Sequence, residues 1–119
     1  RMGSEKYFLD IEGFEDCFIE VTDKWTVKEM RTLSESEEEA YFELFKAKVV
    51  AMFLRDESGV EFTNPKEFKP KDIENFDVSI AGFIGSILPI HVRKRRNLGG
   101  LSVRPSSTSK DGQGSPTNK

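Results

Sequence analysis

Ala40-Tyr41-Phe42-Glu43-Leu44-Phe45-Lys46-Ala47-Lys48-Val49-Val50-Ala51-Met52-Phe53-Leu54 is the stretch whose reading decides the fold. At 100° per residue, Tyr41, Leu44, Phe45, Val49, Met52 and Phe53 share one broad face, and Ala40, Ala47, Ala51 and Leu54 widen it. Only Glu39, Glu43 and Lys46 make a polar stripe, so most of the circumference calls for burial. This predicts one central helix, wrapped by the rest of a small domain or by another subunit. Lys48 projects into the apolar face, where it snorkels at the edge of the core or forms an interface salt bridge.

Upstream, Tyr7–Ile11 and Cys17–Thr22 are rich in strand formers, and the segment between them contains Gly13. They read as a β-hairpin. Two strands alone are marginal in water, so the hairpin must lie on a helix or join another chain's sheet. Thr26 and Glu29 have the spacing of a capping box, and Trp25 with Met30 that of a hydrophobic staple, which predicts a short helix over 27–33. Trp25 reads as a core anchor, with a partner-facing hot spot as the alternative. Ser34 with Glu37, or Ser36 with Glu39, caps the central helix, and the acidic cluster complements its dipole.

Downstream, Gly59 marks the end of that helix and Val60–Phe62 a third short strand. Asn64-Pro65 and Lys69-Pro70 bracket a loop from which Phe68 tucks into the core. Ile73, Phe76, Ile80, Phe83, Ile84 and Ile87 keep helical spacing from about Lys71, or in two pieces with Asp77 capping the second. Phe83 and Ile87 are core positions on this pattern, with partner contact as the alternative. Gly82 and Gly85 on the opposite side suggest close backbone approach, an oligomer contact or a loosely packed edge. Pro89 should kink or end the helix.

With 119 residues the chain is one domain at most. Residues 1–4 read as a vector-derived scar, 5–98 as a single helix-rich domain, and 99–119, dominated by Ser, Gly, Pro and Lys, as a disordered tail. A lone cysteine, Cys17, gives neither an internal disulfide nor a zinc cluster and suits a reducing compartment. The apolar run 78–92 is broken by polar residues and is too short for a membrane span. A cytoplasmic protein is expected. Residues 5–57 hold 15 acidic and 7 basic side chains, net −8, while the remainder carries net +5. That polarity favours head-to-tail association as readily as nucleic-acid contact.

Chemistry-bearing constellations are absent from this reading. His91 has no serine, cysteine or carboxylate at a telling spacing, and no catalytic, cofactor-binding or metal-ligating residue is assigned. Arg93, Lys94, Arg95 and Arg96 are the one feature suited to phosphate, but such runs also occur as cations at a helix C-terminus. No base-stacking aromatic accompanies them.

The order of features is a hairpin, then Trp25-Thr26-Val27-Lys28-Glu29, a long amphipathic helix, a Gly59/Pro65 loop, a last helix after Asp72 and a Ser/Pro/Gly tail after Asn97-Leu98. That layout resembles the small tail assembly chaperones of long-tailed bacteriophages and prophages. The resemblance implies a non-enzymatic, mostly helical protein of the bacterial host cytoplasm. It would bind the tape-measure protein, keep its apolar helices soluble, recruit tail-tube subunits, and be missing from the finished particle. The fold expected is α+β, a β-hairpin packed on about three to four helices. Contact residues are expected among Trp25, Lys48, Phe83, Ile87 and Arg93 to Arg96, without a cofactor or a membrane, and self-association stays open. Two rival readings remain: a nucleic-acid-binding regulator using 93–96, and a structural virion component such as a head–tail connector or tail terminator.

Overall fold

Strand formers on either side of Gly13 pair antiparallel as β1 (Ser4–Phe8) and β2 (Phe18–Thr22) in a computed structural model that describes residues 3–35 and 37–102. Gly13 has φ +89°, a conformation that side chains with a Cβ resist. Ser4 pairs with Thr22, and the Gly3 carbonyl accepts the Asp23 amide. Part of the segment expected to be a scar therefore extends the hairpin. Thr26 and Glu29 form the capping box: the Thr26 hydroxyl accepts the Glu29 amide at 3.1 Å, and the Glu29 carboxylate accepts the Thr26 amide at 2.9 Å. It opens α1 (Val27–Glu35), and α2 (Glu38–Lys48) follows.

The central stretch does not stay helical. The chain leaves α2 at Lys48 and continues as β3 (Val49–Arg55), which pairs antiparallel with β2. Val49-Val50 is a β-branched pair with weak helix and strong strand preference. The free edge of β2 supplies hydrogen bonds that a continued helix would forgo, and the third strand relieves the marginal stability of a bare hairpin. A bulge explains why the spacing looks helical. Glu20 pairs with Ala51 and Val21 with Val49, so Val50 is an extra residue. It lets Val49 and Met52, three apart, both face inward with Leu54.

A tight turn leads to β4 (Glu61–Phe62) and completes the sheet order β1-β2-β3-β4. The buried Asp56 carboxylate accepts the amides of Ser58 and Val60, and Gly59, at φ +88°, sits in this turn rather than at a helix end. Two 3-10 segments, Pro65–Glu67 and Pro70–Asn75, occupy the loop bracketed by the prolines. Phe68 between them is fully buried. The last helix comes in the two-piece form: Asp77 caps with its carboxylate on the Ser79 amide, and α3 runs from Val78 to Ser102. Ile80, Ile84, Ile87, Leu88, His91 and Val92 form its buried stripe. The class is α+β, with the helices outweighing the sheet.

Pro89 and Gly99-Gly100 do not stop α3. Near Pro89 the reason lies on α2. The Tyr41 hydroxyl donates to the Ile84 carbonyl at 2.5 Å and accepts the Leu88 amide at 3.5 Å, bridging the ladder one turn before the proline. A hydroxyl inserted there lets the helix bend without orphaning either group. Tyr41→Phe should therefore cost about 1–3 kcal/mol, measurable by urea denaturation, with hydrogen exchange rising first at the amides around Leu88. An unchanged midpoint would mean that the helix passes Pro89 without this support. Around Gly82 and Gly85 no atom of the described residues approaches an added Cβ within 4 Å, so among them there is no close backbone approach at this point. Of the tail expected to be disordered, residues 99–102 continue α3, and the rest lies outside the described residues.

Candidate interaction surface

Every helix contact buries the same side of the sheet. Ile19, Val21, Met52 and Leu54 point into the core. Alternation sends the other set outward, and the register lines up Phe8, Phe18 and Phe53 as one row across β1, β2 and β3. The Phe8 and Phe18 rings lie 5.7 Å apart, Phe8 is 59% exposed, and Val50 on the bulge is 54% exposed. Lys6 reaches over Phe18 at 4.6 Å, and Arg55 lies between Phe14 and Phe53 at 5.2 and 6.0 Å from the ring centres. Arg55 is also tied to the Asp16 carboxylate at 3.0 Å and donates to the Gly13 carbonyl at 2.6 Å. That guanidinium holds the Asp16 carboxyl below its ordinary range.

The residues expected to touch partners scatter. Ile87 is 1% exposed and belongs to the core, and Phe83 is half-buried against it. Lys48 is enclosed by its own chain, 2.8 Å from the Glu29 carboxylate and donating to the Lys24 carbonyl at 2.8 Å. Its salt bridge is thus internal, and it draws the Glu29 carboxyl below the usual value. Trp25 stands beside Lys48 at 5.3 Å, and its indole N–H donates to the Thr22 carbonyl. These two knit α1 and α2 to the end of β2, with Lys48 buried and Trp25 half-buried.

The basic run divides by helix geometry. Lys94 turns back to Glu5 at 2.5 Å and Arg95 approaches Asp23 at 3.9 Å, both on the hairpin. Arg93 and Arg96, three residues apart, are exposed on the side facing α1. Together with Met30, Leu33, Ser34, Pro89 and Val92 they line a groove of about 190 Å³. No family model, no curated protein and no solved structure matches this chain.

His91 is fully buried where α3 crosses the hairpin. The Tyr7 hydroxyl is 2.7 Å from Nδ1, and Asp23 Oδ1 is 3.1 Å from Nε2 but out of line for a hydrogen bond. With Tyr7 donating to Nδ1, the ring proton sits on Nε2 and faces the carboxylate. Burial lowers the His91 pKa, opposed by Asp23, and burial with the nearby Glu5 pushes Tyr7 up to about 12. Desolvation raises the thiol pKa of the buried Cys17. Among the described residues no group of three His, Cys, Asp or Glu side chains is placed to hold a metal ion. No described helix is long and apolar enough to cross a membrane.

The phenylalanine row escapes any reading of the sequence that places Phe53 in a helix. The signal for it is that Phe18, Phe53 and Phe8 each alternate with a residue the core demands: Ile19, Met52 and Leu54, and Leu9. Strands apolar on both faces either lie between two layers or expose one apolar face.

Proposed function

We propose that this chain is a non-catalytic assembly factor that binds other proteins through the open face of its sheet, in the manner of a phage tail assembly chaperone acting in the bacterial cytoplasm. The observation that supports it best is the row Phe8, Phe18 and Phe53 on the outward side of the sheet, with Phe8 59% exposed and Phe18 and Phe53 half-buried. Aromatic side chains fixed on a rigid sheet lose little entropy on binding and offer large apolar area. An apolar helix of a tape-measure protein is a suitable occupant. A nucleic-acid reading has the aromatic row in its favour, since unpaired bases stack on such platforms. The charge gives it no support: beside this row Lys6 is matched by Glu20, and Arg55 is already held by Asp16.

Phe8→Ser should weaken binding of a tape-measure or tail-tube protein by about tenfold or more. The same variant should change folding stability by no more than about 1 kcal/mol, since Phe8 is largely exposed. Titration calorimetry with the purified proteins, alongside thermal melts, reads both. Equal binding by the variant, a neighbourhood without tail genes, or a gel shift of DNA that fades steeply with salt would each remove the reading. Retention of the chain in purified particles would favour a structural virion component instead.

A further inference from the structure

The groove between α1 and α3 is unused by the sheet-face reading and faces a different side of the molecule. Its floor is apolar, made by Met30, Leu33, Pro89 and Val92, and its α3 rim carries Arg93 and Arg96. Neither arginine has an ion-pair or hydrogen-bond partner among the described residues, whereas Lys94 and Arg95 are turned to Glu5 and Asp23. We propose that this groove is a docking slot for a short acidic segment of a partner protein. One large apolar side chain would rest on the floor, and flanking carboxylates would meet Arg93 and Arg96. The inference shares with the proposed function only the premise that the partner is a protein.

Charge and size together select this occupant. Two guanidinium groups one helical turn apart match carboxylates spaced along a peptide, and guanidinium–carboxylate pairs are the strongest of the surface ion contacts. A hollow of about 190 Å³ is smaller than a typical small-molecule pocket of about 300 Å³ or more, and suits one or two apolar side chains. The sugar-phosphate backbone of a nucleic acid has no use for an apolar floor. The chain's own residues 103–119 do not fit either, because Arg104, Lys110 and Lys119 outnumber Asp111 there and would face like charge.

The test uses a fluorescein-labelled, end-blocked peptide, Asp-Glu-Leu-Leu-Asp-Glu, titrated into the full chain by anisotropy and by amide shift mapping. Binding should be saturable, should move the amides of Met30, Leu33, Val92 and Arg93, and should weaken as salt rises. Arg93→Glu with Arg96→Glu should reduce affinity by about tenfold or more, and so should a peptide with serine for both leucines. Both arginines are exposed, so the double variant should melt like the parent, and Phe8→Ser should bind the peptide normally. Shifts that avoid the groove, unchanged affinity in the double variant, or tighter binding of a short oligothymidylate at the same amides would overturn the proposal. Loss of tape-measure binding in Phe8→Ser with intact peptide binding separates this site from the sheet face.

Discussion

Phe68→Ala is expected to destabilise the domain by about 3–5 kcal/mol, more than truncation of any other single side chain in the core. Phe68 is fully buried and its ring meets four others: Phe42 at 5.8 Å, Phe45 at 5.7 Å, Phe62 at 5.4 Å and Phe76 at 5.8 Å. Those rings come from α2, β4 and the entry to α3, so one side chain from an irregular loop joins three elements. Truncation removes the transfer free energy, leaves a cavity that fixed neighbours cannot collapse, and breaks several edge and tilted ring contacts. For a domain of this size the midpoint of thermal unfolding should fall by about 15–30 °C. Phe83→Ala, at a half-buried position, serves as the control and should cost less than half as much. A loss under about 1.5 kcal/mol for Phe68→Ala would show that the loop is a lid on the core and not part of it.

Acidification should destabilise the protein in a window set by His91. Its folded pKa lies below the ordinary value of 6.5 because burial penalises the imidazolium more than the Asp23 carboxylate favours it. The unfolded chain therefore takes up a proton first as the pH falls. Stability is full above the unfolded value, declines as pH drops below it, and levels off once the folded histidine also protonates. Glu5, Tyr7, Asp23 and Arg95 set the local field. The carboxyls of Asp16 and Glu29, held low by Arg55 and Lys48, add a second decline at more acidic pH, below their ordinary values of 3.8 and 4.5. Melts from about pH 7.5 to about pH 5.5 should show the first decline alone. His91→Gln should flatten it, and His91→Ala should cost about 2–4 kcal/mol near neutrality by emptying a buried site and stranding the Tyr7 hydroxyl. A midpoint that rises on acidification would mean that Asp23 wins and the buried histidine is a cation.

What local chemistry dictates was legible in the residues. The hairpin follows from strand formers flanking Gly13, the capping box from Thr26 and Glu29, and the 3-10 loop from Asn64-Pro65 and Lys69-Pro70. Burial of Phe68 and the Asp77 cap belong with these. Each depends on groups a few residues apart, or on an apolar side chain with no good alternative to the core. The candidate surface was much less visible. Arg93 and Arg96 stood out as charges, but their separation from Lys94 and Arg95 depends on where α1 and the hairpin lie around α3. Ile87 and Lys48 have sequence contexts compatible with either a surface or a core, and packing assigned both to the interior.

By itself the sequence determined an α+β chain, its hairpin, the caps of α1 and α3 and the apolar set that had to be buried. It did not determine the start of α2, where Glu37 stands at the N-cap without a side-chain hydrogen bond and Ser34 donates to the Arg31 carbonyl instead. Only the tertiary structure decided that 49–55 would be a strand, that α3 would pass Pro89, and that three phenylalanines would line up across the outward side of the sheet. The physical reason is the range of the deciding interactions. Val49 becomes strand because the edge of β2, nearly thirty residues earlier, offers hydrogen bonds. Leu88 keeps its helix because a hydroxyl 47 positions away reaches its amide. Local spacing sets which residues want burial, but the distant partner sets the backbone on which that burial is achieved.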